Sequence, residues 1–90
     1  MSQEYNGWTN YETWLVAVWL DNEEYSASVL HEIANNGKRR DYRKEELKSF
    51  VEDMVGANDG PASLKQDLLY AALCVVNWYE ILDNHTEQEE

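Results

Sequence analysis

Five times along this chain a short polar residue stands just ahead of apolar residues in helical spacing: Thr9, Asn22, Asp41, Ser63 and Asn77. Such side chains satisfy the backbone N–H groups that the first turn of a helix leaves unpaired, so their recurrence constrains the chain to a string of short helices. Thr9 with Glu12, Ser63 with Gln66 and Asn77 with Glu80 stand at capping-box spacing. Only one proline and four glycines interrupt ninety residues otherwise rich in helix formers. The expectation is an all-α fold, a compact single-domain bundle of four to five short helices.

The first helix is predicted from about Asn10 to Asp21. Tyr11, Trp14, Leu15, Val18 and Trp19 recur at three and four, and Val16, Ala17 and Leu20 widen the stripe almost all round, the pattern of a central helix. Asn22, backed by Glu23 and Glu24, starts a second helix to about Asn36 that turns Tyr25, Val29, Leu30 and Ile33 inward. Gly37 stands where a left-handed terminal residue is wanted, with Lys38, Arg39 and Arg40 past the negative dipole end. Asp41 is the expected cap of a third helix to about Val55, burying Leu47, Phe50, Val51 and Met54 and ended by Gly56. Residues 56–61 hold two glycines and the proline and form a loop. Ser63 starts a fourth helix carrying Leu64, Leu68, Leu69, Ala72, Val75 and Val76, and Asn77 breaks it to start a short fifth with Trp78, Ile81 and Leu82. Residues 1–8 are then a lead-in, 9–83 the helical domain and 84–90 an acidic tail without an apolar anchor, expected to fray.

The longest apolar runs, Leu68 to Val76 and Trp14 to Leu20, fall short of the about 20 residues a spanning helix needs, and no segment has signal-peptide order. A cytoplasmic protein is expected. Cys74 has no second cysteine to pair with and lies between Leu73 and Val75, as a small core hydrophobe does. With only Cys74, His31, His85 and carboxylates as ligands, no zinc site and no cofactor are expected. His31 falls on the second helix as a surface residue. No nucleophile stands beside a base and no glycine pattern cradles phosphate, so the chain is expected not to be an enzyme.

Charge is the most informative pattern. Eighteen acids against seven cations leave a net −11. Six of the seven cations, Lys38, Arg39, Arg40, Arg43, Lys44 and Lys48, lie within eleven positions that hold three acids, a local +3; the other 79 residues carry one cation against fifteen acids, −14. One account of this polarity is solubility, with the basic segment capping the second helix and pairing with nearby carboxylates. Another is an acidic surface shaped for a basic partner, since complementary fields steer association; Glu23, Glu24, Glu32, Glu52, Asp53 and Asp59 are its candidate contacts. A third uses Lys38, Arg39, Arg40, Arg43 and Lys44 on nucleic acid, against the field of the rest of the chain. Among the aromatics, most of which a small core absorbs, Trp8 and Tyr79 are least obliged by spacing to be buried and are candidate interface anchors.

The segment Asn6-Gly7-Trp8-Thr9-Asn10-Tyr11-Glu12-Thr13-Trp14, with Trp19-Leu20-Asp21-Asn22 after it, resembles the opening of short proteins of unknown function from phages, plasmids and other mobile elements. Val76-Asn77-Trp78-Tyr79-Glu80-Ile81 is similar to the closing segment of the same family. The resemblance implies a context rather than a reaction, and carries over no catalytic residue. Physically, both motifs are caps beside bulky aromatics, and point to a first helix packed on the last. Together with the acidity, this context suggests a small non-enzymatic inhibitor of a host nucleic-acid-binding defence complex, an anti-CRISPR or antirestriction protein, acting by steric block or DNA mimicry. The alternatives are a structural or regulatory interaction module, self-associating or joining another protein through exposed aromatics, and a regulator touching nucleic acid through residues 38–48. No membrane partner is expected.

Overall fold

The core is built where four of the five helices cross. A computed structural model describes residues 5–57, 60 and 63–86. It contains α1 (Tyr11–Asn22), α2 (Glu24–Ala34), α3 (Arg40–Val55), α4 (Leu64–Cys74) and α5 (Trp78–His85), the expected all-α domain. Leu20 of α1, Leu30 of α2, Leu47 of α3 and Ile81 and Leu82 of α5 are wholly buried at its centre. The closely packed pairs are α1 with α2 and α5, α2 with α3 and α5, and α3 with α5; α4 belongs to none of them. Among the described residues no helix is long and apolar enough to cross a membrane.

The caps explain where helices begin, and three differ from the sequence expectation. Asn10, not Thr9, caps α1: its Oδ1 accepts from the Thr13 backbone N–H at 2.8 Å, which moves the cap one residue on and leaves Glu12 out of it. Asn22 does not cap α2 but ends α1. The connection is the single residue Glu23, whose side chain caps nothing; the buried Ser26 hydroxyl instead donates to the Leu20 carbonyl at 2.7 Å, tying the new helix to the old one. Asp41 lies inside the first turn of α3, with Arg39 at the cap position. Ser63 and Asn77 accept from the backbone N–H groups of Gln66 and Glu80 as their spacing predicts. Gly56 ends α3 at φ 75°, a left-handed conformation that a side chain would disfavour.

The buried faces also differ. On α1 the inward line is Thr13, Ala17 and Leu20, while Trp19 and Tyr11 face solvent. Small side chains at Thr13 and Ala17 let α1 approach its neighbours, and that contact outweighs the larger burial a tryptophan would bring. On α2, Ser26, Leu30 and Ala34 are inside and Tyr25 is out; on α3, Leu47 and Val51 are inside and Met54 is out. On α4 only Gln66 and Leu73 are buried, so Leu64, Leu68 and Val75 are exposed against expectation. Cys74 is exposed too, because it lies off the Leu73 side that meets the body. α5 continues through Asn84 and His85, two residues past the predicted end. His85 Nε2 meets Asp21 at 2.9 Å, and the Thr86 hydroxyl donates to the Leu82 carbonyl at 2.8 Å.

Candidate interaction surface

The first and last helices are locked together by their own caps. Asn10 donates from Nδ2 to the Val75 carbonyl at 2.7 Å, and the Thr13 hydroxyl donates to Asn10 Oδ1 at 2.6 Å while accepting from the Asn77 backbone N–H at 2.8 Å. Asn77 Nδ2 donates to the Thr9 hydroxyl at 3.0 Å, and the Thr9 backbone N–H donates to Glu80 Oε1 at 2.9 Å. Thr13 is fully buried, so its bonds hold where water does not compete. Ahead of this clasp, Tyr5 and Trp8 exchange backbone hydrogen bonds of 2.8 Å around Asn6 (φ 49°) and Gly7 (φ 87°), and the Tyr5 ring lies 4.8 Å from that of Trp14.

Across residues 1–90 the sequence matches the model of a family of unknown function, DUF7249. The chain belongs to that family. No curated protein and no solved structure matches it. In this DUF7249 member the two terminal motifs join as structure, with every polar side chain of the clasp occupied by another, and the surface open to partners lies elsewhere.

Five of the six cations of the basic segment, all but Lys48, are spent internally. Lys38 pairs with Glu46 at 3.2 Å and lies over the Tyr42 ring, Arg39 pairs with Asp41 at 3.0 Å, Arg40 with Asp83 at 2.6 Å and Lys44 with Glu45 at 3.2 Å. Arg43 donates to the carbonyls of Ala34 (2.7 Å) and Lys38 (2.8 Å), so it closes the C-terminal end of α2. The Arg39 guanidinium, through its hydrogen bonds and charge, holds the Asp41 carboxyl below the ordinary carboxylate range. Exposed pairs of this kind contribute little stability, and their main effect is to neutralise the cations locally.

The candidate acids fare differently. Glu23, Glu24, Glu32 and Asp53 are exposed and Glu52 half-buried, and none has an ion-pair partner among the described residues. Asp59 lies outside the described residues. Glu23 lines a cavity of about 460 Å³ with Trp19, Asn22 and Met54, which brings the α1–α2 corner against the end of α3 beside Asp53. Glu32 lies further along α2 and is not part of that corner.

Adjoining the corner, a groove of about 340 Å³ runs between α1, α3 and α4, with Leu15, Trp19, Val51, Met54, Leu69 and Leu73 on its walls. Its outermost wall is Trp19, 65% exposed, which helical spacing had assigned to the core. The two aromatics singled out from sequence are occupied instead. Trp8 is half-buried against the core, and Tyr79 is half-buried with the Arg40 guanidinium 4.3 Å from its ring centroid. The signal for Trp19 lay in the small residues Thr13 and Ala17, which mark the close-packing face of α1 and leave the tryptophan to the side. His31 is exposed on α2, as expected.

Proposed function

We propose that this protein is a non-catalytic binding protein that docks its acidic corner on the basic surface of a nucleic-acid-binding protein. In its sharpest form the partner is a host defence complex, a CRISPR effector or a restriction enzyme, inhibited by steric block or by carboxylates standing in for phosphates. The observation that carries this reading is the contrast in pairing. The cations from Lys38 to Lys44 are turned onto the chain's own carboxylates and carbonyls, whereas Glu23, Glu24, Glu32 and Asp53 are exposed with no ion-pair partner among the described residues. Unpaired carboxylates on a −11 chain repel competing polyanions and attract a surface evolved to hold phosphate. The same pairing weakens the alternative of nucleic-acid contact through residues 38–48, because five of its six cations, all but Lys48, would have to leave an internal partner.

The test is affinity capture from host lysate with the wild-type chain and a Glu23→Lys/Glu24→Lys/Asp53→Lys variant. The expected result is a nucleic-acid-binding protein retained by the wild type, released as salt rises and lost in the variant. Retention indifferent to both salt and charge reversal would overturn the proposal. That outcome would favour a second reading, an interaction module working through exposed aromatics, which Trp19 over the apolar groove supports.

A further inference from the structure

We propose that α4 is a self-association helix, and that two copies of this chain pair along its outer face. The helix has two apolar sides. Leu69 and Leu73 turn toward the body, with Gln66 anchored to the Gly56 carbonyl at 3.1 Å. On the opposite side Leu64, Leu68, Ala71 and Val75 follow one another at four, three and four residues, the spacing of a helix-pairing seam. Leu64 is 75% exposed, Leu68 61% and Val75 49%, so the seam is open along its whole length. Apolar side chains on two sides of a helix call for cover on both, and among the described residues no other helix packs closely on that side of α4.

The occupant is identified by charge. α1, α2, α3 and α5 each carry more acids than bases, whereas α4 holds one lysine, Lys65, and one aspartate, Asp67, and is neutral. A basic partner gains nothing from a neutral stripe, while two copies of a −11 chain repel each other everywhere except across such a stripe. Antiparallel pairing about a two-fold axis sets Leu64 against Val75 and Leu68 against Ala71 of the other copy. The small alanine there receives the leucine; the two-fold axis brings like flanks together, but Lys65 lies across from Cys74 and Asp67 across from Ala72 of the other copy, so neither like-charged pair sits directly opposite. Ala72 joins the seam to the groove beneath Trp19 and Met54, so the apolar surface is continuous from α4 to α1 and α3.

Sedimentation or light scattering of the full chain, from about 1 μM to about 1 mM, reads the association directly. The expected mass rises from that of one chain to twice that value, and the transition moves to lower concentration at high salt, where repulsion is screened. This salt response is opposite to that of the basic-partner complex, so the two proposals fail separately. Leu68→Glu and Leu64→Glu should each weaken dimerisation at least tenfold without loss of helical signal, since both side chains are exposed in the single chain and Glu suits the first turn of a helix at position 64. A spin label on Cys74, the one cysteine, gives the register. Antiparallel helices about 9 Å apart place the two Cys74 Cα atoms roughly 16 Å apart, so a short inter-copy distance that vanishes in Leu68→Glu supports the seam. A constant single-chain mass at every concentration and salt overturns the proposal. So does a dimer that both variants leave intact.

Discussion

The clasp between α1 and α5 and the edge formed by α4 draw on similar residues to opposite effect. At the clasp, the two tryptophan-bearing motifs are held by seven side-chain hydrogen bonds linking Thr9, Asn10, Thr13, Val75, Asn77 and Glu80, with Trp78, Ile81 and Leu82 buried beneath them. At the α4 edge, Leu64, Leu68 and Trp19 are as apolar as anything in the core yet lie in the open. Hydrogen bonds between distant segments fix one geometry because each donor left without a partner would be costly. Apolar contacts along a single helix fix none, so α4 keeps an unfilled side that the clasp lacks. Stability therefore belongs to the clasp, and the edge is left for the proposed pairing of two copies.

The strongest blow to that division is struck in the core beneath the clasp. Ile81→Ala removes a wholly buried side chain and should cost about 3–4 kcal/mol, a fall in Tm of roughly 15–25 °C by thermal denaturation. Thr13→Val keeps the shape but leaves the Asn77 N–H unpaired in a buried place; a loss of about 2 kcal/mol is expected, and an unchanged Tm would show that the clasp does not hold the fold. Arg43→Ala frees the Ala34 and Lys38 carbonyls, with a smaller loss of about 1 kcal/mol from the end of α2, readable as earlier hydrogen exchange there. Leu68→Glu should stay within about 0.5 kcal/mol of the wild type in dilute solution, because α4 exposes that side chain; a large loss would place the α4 edge in the stabilising core. Asp41→Asn should have the least effect. Its folded-state carboxyl is held below its ordinary value by Arg39, so any stabilisation is present above the unfolded value and is lost as pH falls through the depressed one. The Tm gap between variant and wild type should then be greatest at neutral pH and close in acid.

Much of the clasp was legible. Asn77 with Glu80 and Ser63 with Gln66 cap as their spacing requires, because a cap is a contact between residues three apart and needs no tertiary information. The motif at Thr9 to Thr13 pointed to a helix start at the right place, but the partner of each side chain did not follow from it. Glu80 lies within reach of its own cap and still bonds Thr9, seventy-one residues away, because the N-terminal ends of α1 and α5 meet there. The turn at Asn6-Gly7 has its own signal, a dipeptide suited to two successive positive φ values, within what composition alone marks as a lead-in. The outward α4 seam was the least legible feature. Leu64, Leu68 and Val75 look like core residues at helical spacing, and spacing cannot say which of two apolar sides the rest of the chain will cover.

By itself, then, the sequence determined the helices, their ends to within about two residues, and the charge polarity, since all of these depend on neighbours within a turn or on simple counting. Only the tertiary structure decided that the cations from Lys38 to Lys44 spend themselves on carboxylates and carbonyls of the same molecule, that Trp19 faces out while Thr13 faces in, and that α4 has a bare side. Those outcomes depend on which helix faces pack, and packing is a competition among all pairs of faces at once. The small residues Thr13, Ala17, Ser26 and Ala34 won it by allowing the closest approach.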